Sequence, residues 1–338
     1  MAQDLRDITI IGGGPTGLFA SFYAGMRGKS CRIIDSLPEL GGQLTALYPE
    51  KDIYDVGGYP KILAKDLAKA MVKQGLQFDP DVVLDEEVRD VQRNGEEIIL
   101  TGRKDEYRTR ALVICGGKGA FEPKKLRVPG FEDLLGSGVD YKVTNPAEFE
   151  DKRVLVVGGG DSALDWALIL KDWASHLTLI HRRDGWRAHE KSVQDLHEAA
   201  EADEIELKVF YEVREIRGNG EVEEVVIFDN RTQEEEVREV DAVLTFLGFK
   251  PDLGPIKEWG LELERNRILV SQLMETNIPG VYGAGDVVGY DGKLDLIATG
   301  YAEAAIAVNN AIHHIDPDAR VNPGHSTHLK VFKGEEEK

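Results

Sequence analysis

Two glycine-rich turns are the parts of this 338-residue sequence with the clearest chemical potential. The first has the sequence GGGPTG at residues 12–17 and follows a β-branched run. In that pattern Gly12 allows a tight bend, Gly14 lets a pyrophosphate approach the backbone, and Gly17 lets helix and strand pack closely. A helix beginning near Thr16 would present unpaired N–H groups and its positive end to the phosphates. The turn therefore predicts a dinucleotide site.

The residue after the second strand indicates which dinucleotide the first turn accepts. Asp35 stands there. A carboxylate at this position accepts hydrogen bonds from a free ribose diol and repels a 2′-phosphate. A glycine turn without a ligand is the alternative, but strand, turn, helix, second strand and acid follow in the required order. We expect a dinucleotide without a 2′-phosphate.

The second turn has the sequence GGGDSA at residues 158–163 and again lies between strand-like and helix-like segments. Gly158 and Gly160 occupy the first two glycine positions, and Ala163 replaces the third, a variant that still allows close packing. Asp161 and Ser162 would open the following helix. This turn predicts a second dinucleotide site.

Basic residues replace the acid after the second strand of this unit. His181, Arg182 and Arg183 occupy the position that contacts the ribose. Guanidinium groups bind phosphate in bidentate fashion. A solvated basic turn is the alternative, but against a net charge of −20 we favour a 2′-phosphate site. NADPH is the natural candidate.

Two dinucleotide sites without a nucleophile–base arrangement point to electron transfer between bound cofactors. Flavin adenine dinucleotide (FAD) fits the first site because its ribose carries no phosphate. Hydride transfer from a nicotinamide to a flavin requires stacked, oriented rings and no side-chain acid or base. We therefore expect no acid–base catalytic residue.

The segments that must position these turns alternate in the manner of α/β domains. β-Branched runs at residues 8–11 and 31–34 flank a helix at residues 16–27. The plan then repeats, with strands at 112–115, 154–157, 177–180 and 243–247, helices at 162–173 and 298–312, and antiparallel regions at 96–110 and 209–240. The predicted fold is two Rossmann-like domains with antiparallel additions.

The composition excludes several kinds of partner. A net charge of −20 repels nucleic acids and anionic lipids. The apolar runs are strand-sized, and we find no secretory segment before the first strand. Cys31 and Cys115 are too few for a disulfide framework or metal cluster, and His189 and His197 lack the spacing of a ligand pair. We expect a cytoplasmic protein that binds no metal, nucleic acid or membrane.

These features resemble the two-dinucleotide-domain flavoprotein family of thioredoxin reductase over nearly the whole chain. Residues 12–17 with Asp35 match its FAD fingerprint. Gly42 and Gln43, in the sequence ELGGQL, match its loop beside the flavin. Asp286 matches the aspartate of its C-terminal FAD motif, which binds the ribityl chain of the flavin in that family.

The resemblance extends to the second unit. Residues 158–163 and 181–184 match the family's NADPH domain, and Arg187 is placed to reach the same phosphate. Glycine-rich segments near residues 116 and 248 resemble the family's crossings between domains. The resemblance implies that an NADPH-binding domain is inserted into a discontinuous FAD-binding domain, with the NADPH domain at 117–247 and the FAD domain at 1–116 and 248–338.

One departure from thioredoxin reductase bears on function. Those enzymes carry a redox Cys-x-x-Cys pair upstream of the NADPH fingerprint, where this chain has the cysteine-free sequence GVDYKVT. The chain therefore resembles the thioredoxin-reductase-like ferredoxin–NADP⁺ reductases. That resemblance implies that Tyr48 stacks on the flavin, and that a C-terminal segment with His325 and Ser326 covers the other flavin face across a homodimer.

The expected reaction is electron transfer between NADPH and ferredoxin through bound FAD. Flavodoxin or another small acceptor is an alternative partner, because no motif encodes the acceptor site. A non-enzymatic redox sensor that binds both dinucleotides is an alternative of another class. A basic patch of Lys118, Lys124, Lys125 and Arg127 is our candidate docking surface for an acidic ferredoxin, with a solvated turn as the alternative.

Overall fold

A computed structural model describes residues 4–328, without the side chains of residues 120–123, 249–251 and 328. Residues 329–338, which we assigned to the FAD domain, lie outside this part. Within it the helices are α1 (Pro15–Met26), α2 (Gln43–Ala46), α3 (Ala64–Gly75), α4 (Asp161–Leu170), α5 (Glu190–Glu201) and α6 (Ile297–Ile315).

The strands of the first half are β1 (Arg6–Ile11), β2 (Cys31–Ile34), β3 (Asp52–Ile53), β4 (Ile62–Leu63), β5 (Asp81–Val83), β6 (Val88–Asn94), β7 (Glu97–Gly102), β8 (Glu106–Ile114), β9 (Ala120–Pro123), β10 (Val139–Asp140) and β11 (Arg153–Gly158). Those of the second half are β12 (His176–His181), β13 (Glu206–Val209), β14 (Tyr211–Gly218), β15 (Val222–Asp229), β16 (Glu235–Glu239), β17 (Ala242–Phe246), β18 (Phe249–Asp252), β19 (Leu263–Glu264), β20 (Arg267–Leu269), β21 (Val281–Gly283) and β22 (Val288–Gly289).

The chain divides into two compact units. Unit 1 comprises Met1–Ala120 and Pro251–Lys338, and unit 2 comprises Phe121–Lys250. Our sequence-based boundaries, after residues 116 and 247, lie a few residues earlier. The connecting segments are themselves ordered as β9 and β18, which pair with each other, so the division falls within these strands.

Unit 1 is built on a seven-stranded sheet in the order β5-β2-β1-β8-β7-β6, with β21 also paired to β8. Strand β8 changes its pairing partner along its length. Its first half pairs antiparallel with β7, and its second half pairs parallel with β21. We had predicted two separate segments here, at 96–110 and 112–115. The antiparallel region is present as β7 and the first part of β8, but β8 then continues without a break into the second predicted segment, and β1 pairs with it across that junction, at residues 109–114.

Small residues let the helices of unit 1 pack tightly on this sheet. Ala20 and Ala24 of α1 share a buried cluster with Ala304, Ala307 and Ala311 of α6. Sequence reasoning did not identify α3, whose buried residues pack with Leu18 and Ile33 in a further cluster. The strands between these layers are apolar because both faces of the sheet are covered.

Unit 2 repeats the plan on a five-stranded parallel sheet in the order β10-β17-β11-β12-β13. A separate antiparallel sheet, β14-β15-β16, accounts for the predicted antiparallel region at 209–240. Helix α4 ends at Leu170 rather than at the predicted residue 173. Leu170 is its last buried residue, and the amide of Ala174 turns back to donate to the Leu170 carbonyl.

The start of α1 lies unusually close to the end of β1. A Cβ added at Gly17 would lie 1.8 Å from the carbonyl oxygen of Gly12, and one added at Gly12 would lie 2.4 Å from the carbonyl oxygen of Cys115. Gly12 also has a φ of +105°. Both glycines are therefore required by packing, whether or not a ligand is bound.

We predict that Gly17→Ala destabilises the nucleotide-free protein by about 1–3 kcal/mol, because the methyl group overlaps a backbone carbonyl that cannot move aside. Gly14→Ala is the matched control. Its Cβ would meet no atom closer than 3.7 Å, so its cost is below about 1 kcal/mol. Thermal melts of the two variants check this, and equal losses would contradict the packing argument.

Candidate functional site

The first glycine turn lies at the carboxyl end of β1, between neighbouring strands that both run parallel to it. The amide of Gly12 donates to the carbonyl of Ile34 at 2.9 Å, and the amide of Cys115 donates to the carbonyl of Ile11 at 2.7 Å. Strand order reverses direction here, since β2 lies on one side of β1 and β8 on the other. Open α/β sheets bind ligands at this kind of position.

Gly14 leaves space that no protein atom fills. It is the N-cap of α1, and within the described residues no side chain caps this helix. A Cβ at Gly14 would make only ordinary contact, 3.7 Å from the Cα of Gly42. Protein packing therefore does not require glycine here, whereas close approach of a phosphate to the helix N-terminus does. The turn fits a pyrophosphate.

A second loop is packed against this turn. The amide of Gly41 donates to the carbonyl of Gly13 at 2.9 Å, and a Cβ at Gly42 would lie 2.8 Å from the Cα of Gly14. Gln43 follows as the first residue of α2, and its Nε2 lies near Gly117. The structure thus brings the two sequence-predicted FAD segments, 12–17 and 39–44, into contact.

Asp35 lies directly beside the first turn and is 8% exposed. Its Oδ2 accepts from the amide of Gly13, and its Oδ1 accepts from the amide of Leu37 at 2.8 Å. Burial raises the pKa of Asp35, and these backbone donors partly offset that effect. Each carboxylate oxygen keeps a further lone pair, so Asp35 can still accept from a ribose hydroxyl.

Asp286 is far from the first turn in sequence, but it follows a residue that packs on that turn. The preceding residue, Gly285, packs on Thr16, where an added Cβ would lie 2.7 Å from the Thr16 hydroxyl. Burial, followed by the charge of Asp295, raises the pKa of Asp286, while Lys118 opposes the shift from 4.0 Å. Thr16 and the residue before Asp286, two segments predicted to bind FAD, are therefore in contact.

Tyr48 is half-buried among the apolar residues around Leu44 and Val56. Burial, together with the carboxylates of Asp286 and Asp55, raises the pKa of Tyr48 to about 12. Its phenol is therefore neutral at physiological pH and lies within electrostatic reach of Asp286. His325 and Ser326, the predicted covering residues, are exposed in the C-terminal segment of unit 1.

The second glycine turn, in unit 2, follows β11 and opens α4. A Cβ at Gly158 would lie 2.7 Å from the Cβ of Ala163 and 2.6 Å from the carbonyl oxygen of Phe246. Gly158 therefore makes the room that allows alanine to replace the third glycine. Gly160 is the N-cap of α4, with no side-chain cap among the described residues, and Ser162 is exposed in the first turn.

The imidazole of His181 packs against the second turn at Gly159. A Cβ at Gly159 would lie 2.2 Å from the imidazole, and the ring stacks on Trp186 with centroids 5.0 Å apart. Burial and the charges of Arg183 and Arg182 lower the pKa of His181, although a hydrogen bond to the Gly185 carbonyl opposes them. The imidazole therefore packs as a neutral ring, and sequence reasoning did not anticipate its contact with Trp186.

The side chain of Arg183 has a hydrogen-bond donor that is available to an anion. Its Nε is buried and has no hydrogen-bond partner within the described part of the chain. A buried guanidinium N–H without an acceptor is costly, and a phosphate oxygen would satisfy it. Arg182 is exposed, and its carbonyl accepts from the side-chain amide of Asn230 at 2.8 Å. This pair fits a 2′-phosphate.

The segment after these arginines is tied back to the turn. The amide of Arg187 donates to the carbonyl of Gly159 at 2.8 Å. The Asp161 carboxylate accepts from the amide of His189 at 2.9 Å, so its role in the structure is to hold this segment on α4. Arg187 itself is exposed beside Gly160.

Two features of unit 1 were missed from the sequence. Lys118, which we had placed on the basic docking patch, lies 3.3 Å from Asp295 and 4.0 Å from Asp286. Buried Glu303 accepts from the amide of Gly285 at 2.7 Å. No local motif signals either contact, because each joins segments distant in sequence. On the remaining patch, Lys125 pairs with Glu132 at 3.1 Å.

The cysteines are buried in unit 1. Burial raises the pKa of Cys31 to about 12 and also raises that of Cys115. Both thiols are therefore protonated and poorly nucleophilic. Across residues 4–328, no group of three or more metal-binding side chains is arranged to hold a metal, and no helix is both long and apolar enough to span a membrane.

Curated proteins of similar sequence match nearly the full length of the chain. A ferredoxin–NADP reductase of Thermus thermophilus is 52% identical over 328 residues, which are 97% of this chain and 98% of that protein. The ferredoxin–NADP reductase of Halalkalibacterium halodurans is 48% identical over 330 residues, with coverage of 97% and 98%.

Solved structures show the same fold. Thioredoxin reductase of T. acidophilum matches with a TM-score of 0.78 and 26% identity, covering 94% of this chain and 100% of that one. The Lactococcus lactis enzyme matches with a TM-score of 0.77 and 27% identity, covering 92% and 99%. The predicted thioredoxin-reductase-like α/β fold, with parallel Rossmann-like and antiparallel sheets, is confirmed.

The family model described as pyridine nucleotide-disulphide oxidoreductase matches residues 6–311. That range includes both glycine turns, Asp35, the three basic residues at 181–183 and Asp286. The chain belongs to the pyridine nucleotide-disulphide oxidoreductase family.

Proposed function

We propose that this protein transfers electrons between NADPH and ferredoxin through bound FAD. The observation that carries the proposal is the contrast between the two glycine turns. One is followed by buried Asp35, and the other by Arg182 and by Arg183, whose Nε has no hydrogen-bond partner among the described residues. Opposite charges at equivalent positions select different ribose groups.

Unit 1 is the proposed FAD domain. Its backbone at Gly14 binds the pyrophosphate, Asp35 binds the adenosine ribose, and Asp286 binds the ribityl chain. When bound, FAD supplies a ring that accepts a hydride and returns electrons singly. The residues proposed to hold it are Gly12, Gly14, Thr16, Gly17, Asp35, Gly42, Gln43, Tyr48 and Asp286.

Unit 2 is the proposed NADPH domain. The N-terminus of α4 binds the pyrophosphate, and the two arginines bind the 2′-phosphate. His181 and Asp161 act by packing and by tying the 185–189 segment to the turn. The residues proposed to form this site are Gly158, Gly160, Asp161, Ser162, His181, Arg182, Arg183 and Arg187.

Ferredoxin is the proposed acceptor. The relatives that match nearly the full chain are named for that partner. The two cysteines are buried and protonated, so they do not offer the dithiol that would pass electrons to a disulfide substrate. We further propose that Tyr48 stacks on one face of the flavin bound by its own protomer. The protein would be a cytoplasmic homodimer, in which His325 and Ser326 of one protomer cover the other face of its partner's flavin.

The test is NADPH oxidation by the purified flavin-loaded protein, with and without ferredoxin, with cytochrome c as the final electron acceptor. We expect turnover that depends on ferredoxin and is much slower with NADH. Fast flavin reduction without ferredoxin dependence would point to flavodoxin or another small acceptor. Flavin reduction by neither nucleotide would contradict the enzymatic proposal and favour a redox sensor.

We predict that Arg182→Ala with Arg183→Ala raises the KM for NADPH at least about tenfold, because a charged hydrogen bond to phosphate contributes about 1.5–3 kcal/mol. The KM for NADH should change little. The matched control is Arg214→Ala with Arg217→Ala, which removes two exposed arginines elsewhere in unit 2. Equal effects on NADPH and NADH, or equal effects in both double variants, would remove the 2′-phosphate assignment.

A further inference from the structure

A buried carboxylate in unit 1 is hydrogen-bonded to the residue that precedes Asp286. Glu303 is on the face of α6 that packs into unit 1, and its side chain is 3% exposed. Taking a carboxylate out of water is costly unless hydrogen-bond donors surround it. The hydrogen-bond donors around the Glu303 carboxylate therefore explain how it can be buried.

Within the described residues, the hydrogen-bond donors to the Glu303 side chain all come from one loop. Oε2 accepts from the amide of Gly285 at 2.7 Å, and Oε1 accepts from the Tyr290 hydroxyl at 2.5 Å. The ammonium of Lys293, itself 4% exposed, donates to both oxygens at 2.7 and 2.9 Å. Glu303 thus fixes the start and the end of the 285–293 loop on one helix.

The loop carries Asp286 directly after the first of these contacts. Gly285 has a φ of +83° and packs between Thr16 and Gly300. Because its amide is bonded to Glu303, the direction in which the next residue leaves the turn is set by the carboxylate. The Asp286 carboxylate itself makes a longer contact, an ion pair with Lys118 at 4.0 Å.

We propose that Glu303 is a positioning residue for the flavin, which acts by holding Asp286 toward the ribityl hydroxyls. The inference rests on the proposed function, because it assigns Asp286 to the ribityl chain. Apolar pairs of similar volume can replace buried ion pairs without loss of stability. A carboxylate that meets a backbone amide, a phenol and an ammonium instead specifies one loop conformation.

Unit 1 contains a matched control for this arrangement. Glu86 is 1% exposed and accepts from the Tyr107 hydroxyl at 2.9 Å and from the amide of Arg103 at 2.6 Å. These side-chain partners are far in sequence from every residue proposed to bind FAD. The main-chain amide of Glu86 donates to the carbonyl of Asp35 at 3.0 Å, and a change of the side chain leaves that bond in place. Glu86→Gln therefore removes a buried carboxylate of similar chemistry that should have no effect on the flavin.

The experiment titrates flavin-free full-length protein with FAD and follows the quenching of flavin fluorescence. Glu303→Gln keeps the shape but offers one oxygen where the carboxylate offered two, so at least one donor loses its acceptor. We expect it to weaken FAD binding at least tenfold, and Tyr290→Phe to weaken it at least threefold. Glu86→Gln and Tyr107→Phe should lower the melting temperature by a similar amount and leave FAD binding within twofold.

A double-mutant cycle separates positioning from general destabilisation. In the background of Asp286→Ala, Glu303→Gln should weaken FAD binding less than twofold further, because the residue it positions is gone. Additive losses, or equal losses in the Glu86 and Glu303 variants, would overturn the proposal. If Asp286→Ala alone binds FAD as tightly as the unmodified protein, the assignment of Asp286 in the proposed function is wrong, and the inference is wrong with it. If Glu303→Gln does not fold, Tyr290→Phe carries the same cycle.

Discussion

The close contact between the end of β1 and the first turn of α1 constrains the rest of unit 1. The Gly12 carbonyl occupies the place where any side chain at Gly17 would begin. This contact directs the N-terminus of α1 at the carboxyl edge of the sheet, where β1 lies between β2 and β8. Phosphate binding at such an edge follows from helix polarity and needs no charged side chain.

The residue next to this close contact packs against two further segments of unit 1. Thr16, one residue before Gly17, packs against Gly285 and Gly300, which brings the C-terminal loop and α6 onto the turn. Unit 2 uses a looser version, in which Gly158 makes room for Ala163 and the imidazole of His181 supports Gly159. The turns therefore share a geometry and differ in the charge of the residues beside them.

Patterns of neighbouring residues in the sequence predicted the strands, helices and turns whose formation depends mainly on local sequence. Strand β2 at Cys31–Ile34 has the predicted bounds, and both glycine turns lie between a strand and a helix as expected. The single strand β8 was not predicted, because its two halves differ in partner, and pairing is a tertiary property. Helix α4 was predicted three residues too long, because Trp173 is apolar but lies beyond the buried face.

The roles of charged side chains were harder to predict. Lys118 looked like part of a surface patch with Lys124 and Lys125, yet it pairs with Asp286 and Asp295, far away in sequence. Glu303 looked like an ordinary helix residue, and only the fold brings Gly285, Tyr290 and Lys293 to it. Asp35, Arg182 and Arg183 can be proposed as ligand contacts from the sequence alone, because the argument depends on their spacing from a glycine turn, which is local.

Titration calorimetry of the FAD-loaded protein with 2′,5′-ADP and with 5′-AMP measures directly whether unit 2 recognises a 2′-phosphate, as we propose. Neither fragment contains a nicotinamide, so the measurement isolates binding from electron transfer. We expect 2′,5′-ADP to bind at least about tenfold more tightly than 5′-AMP, because its extra phosphate can accept a hydrogen bond from the buried Nε of Arg183. Equal affinities for the two fragments would contradict it.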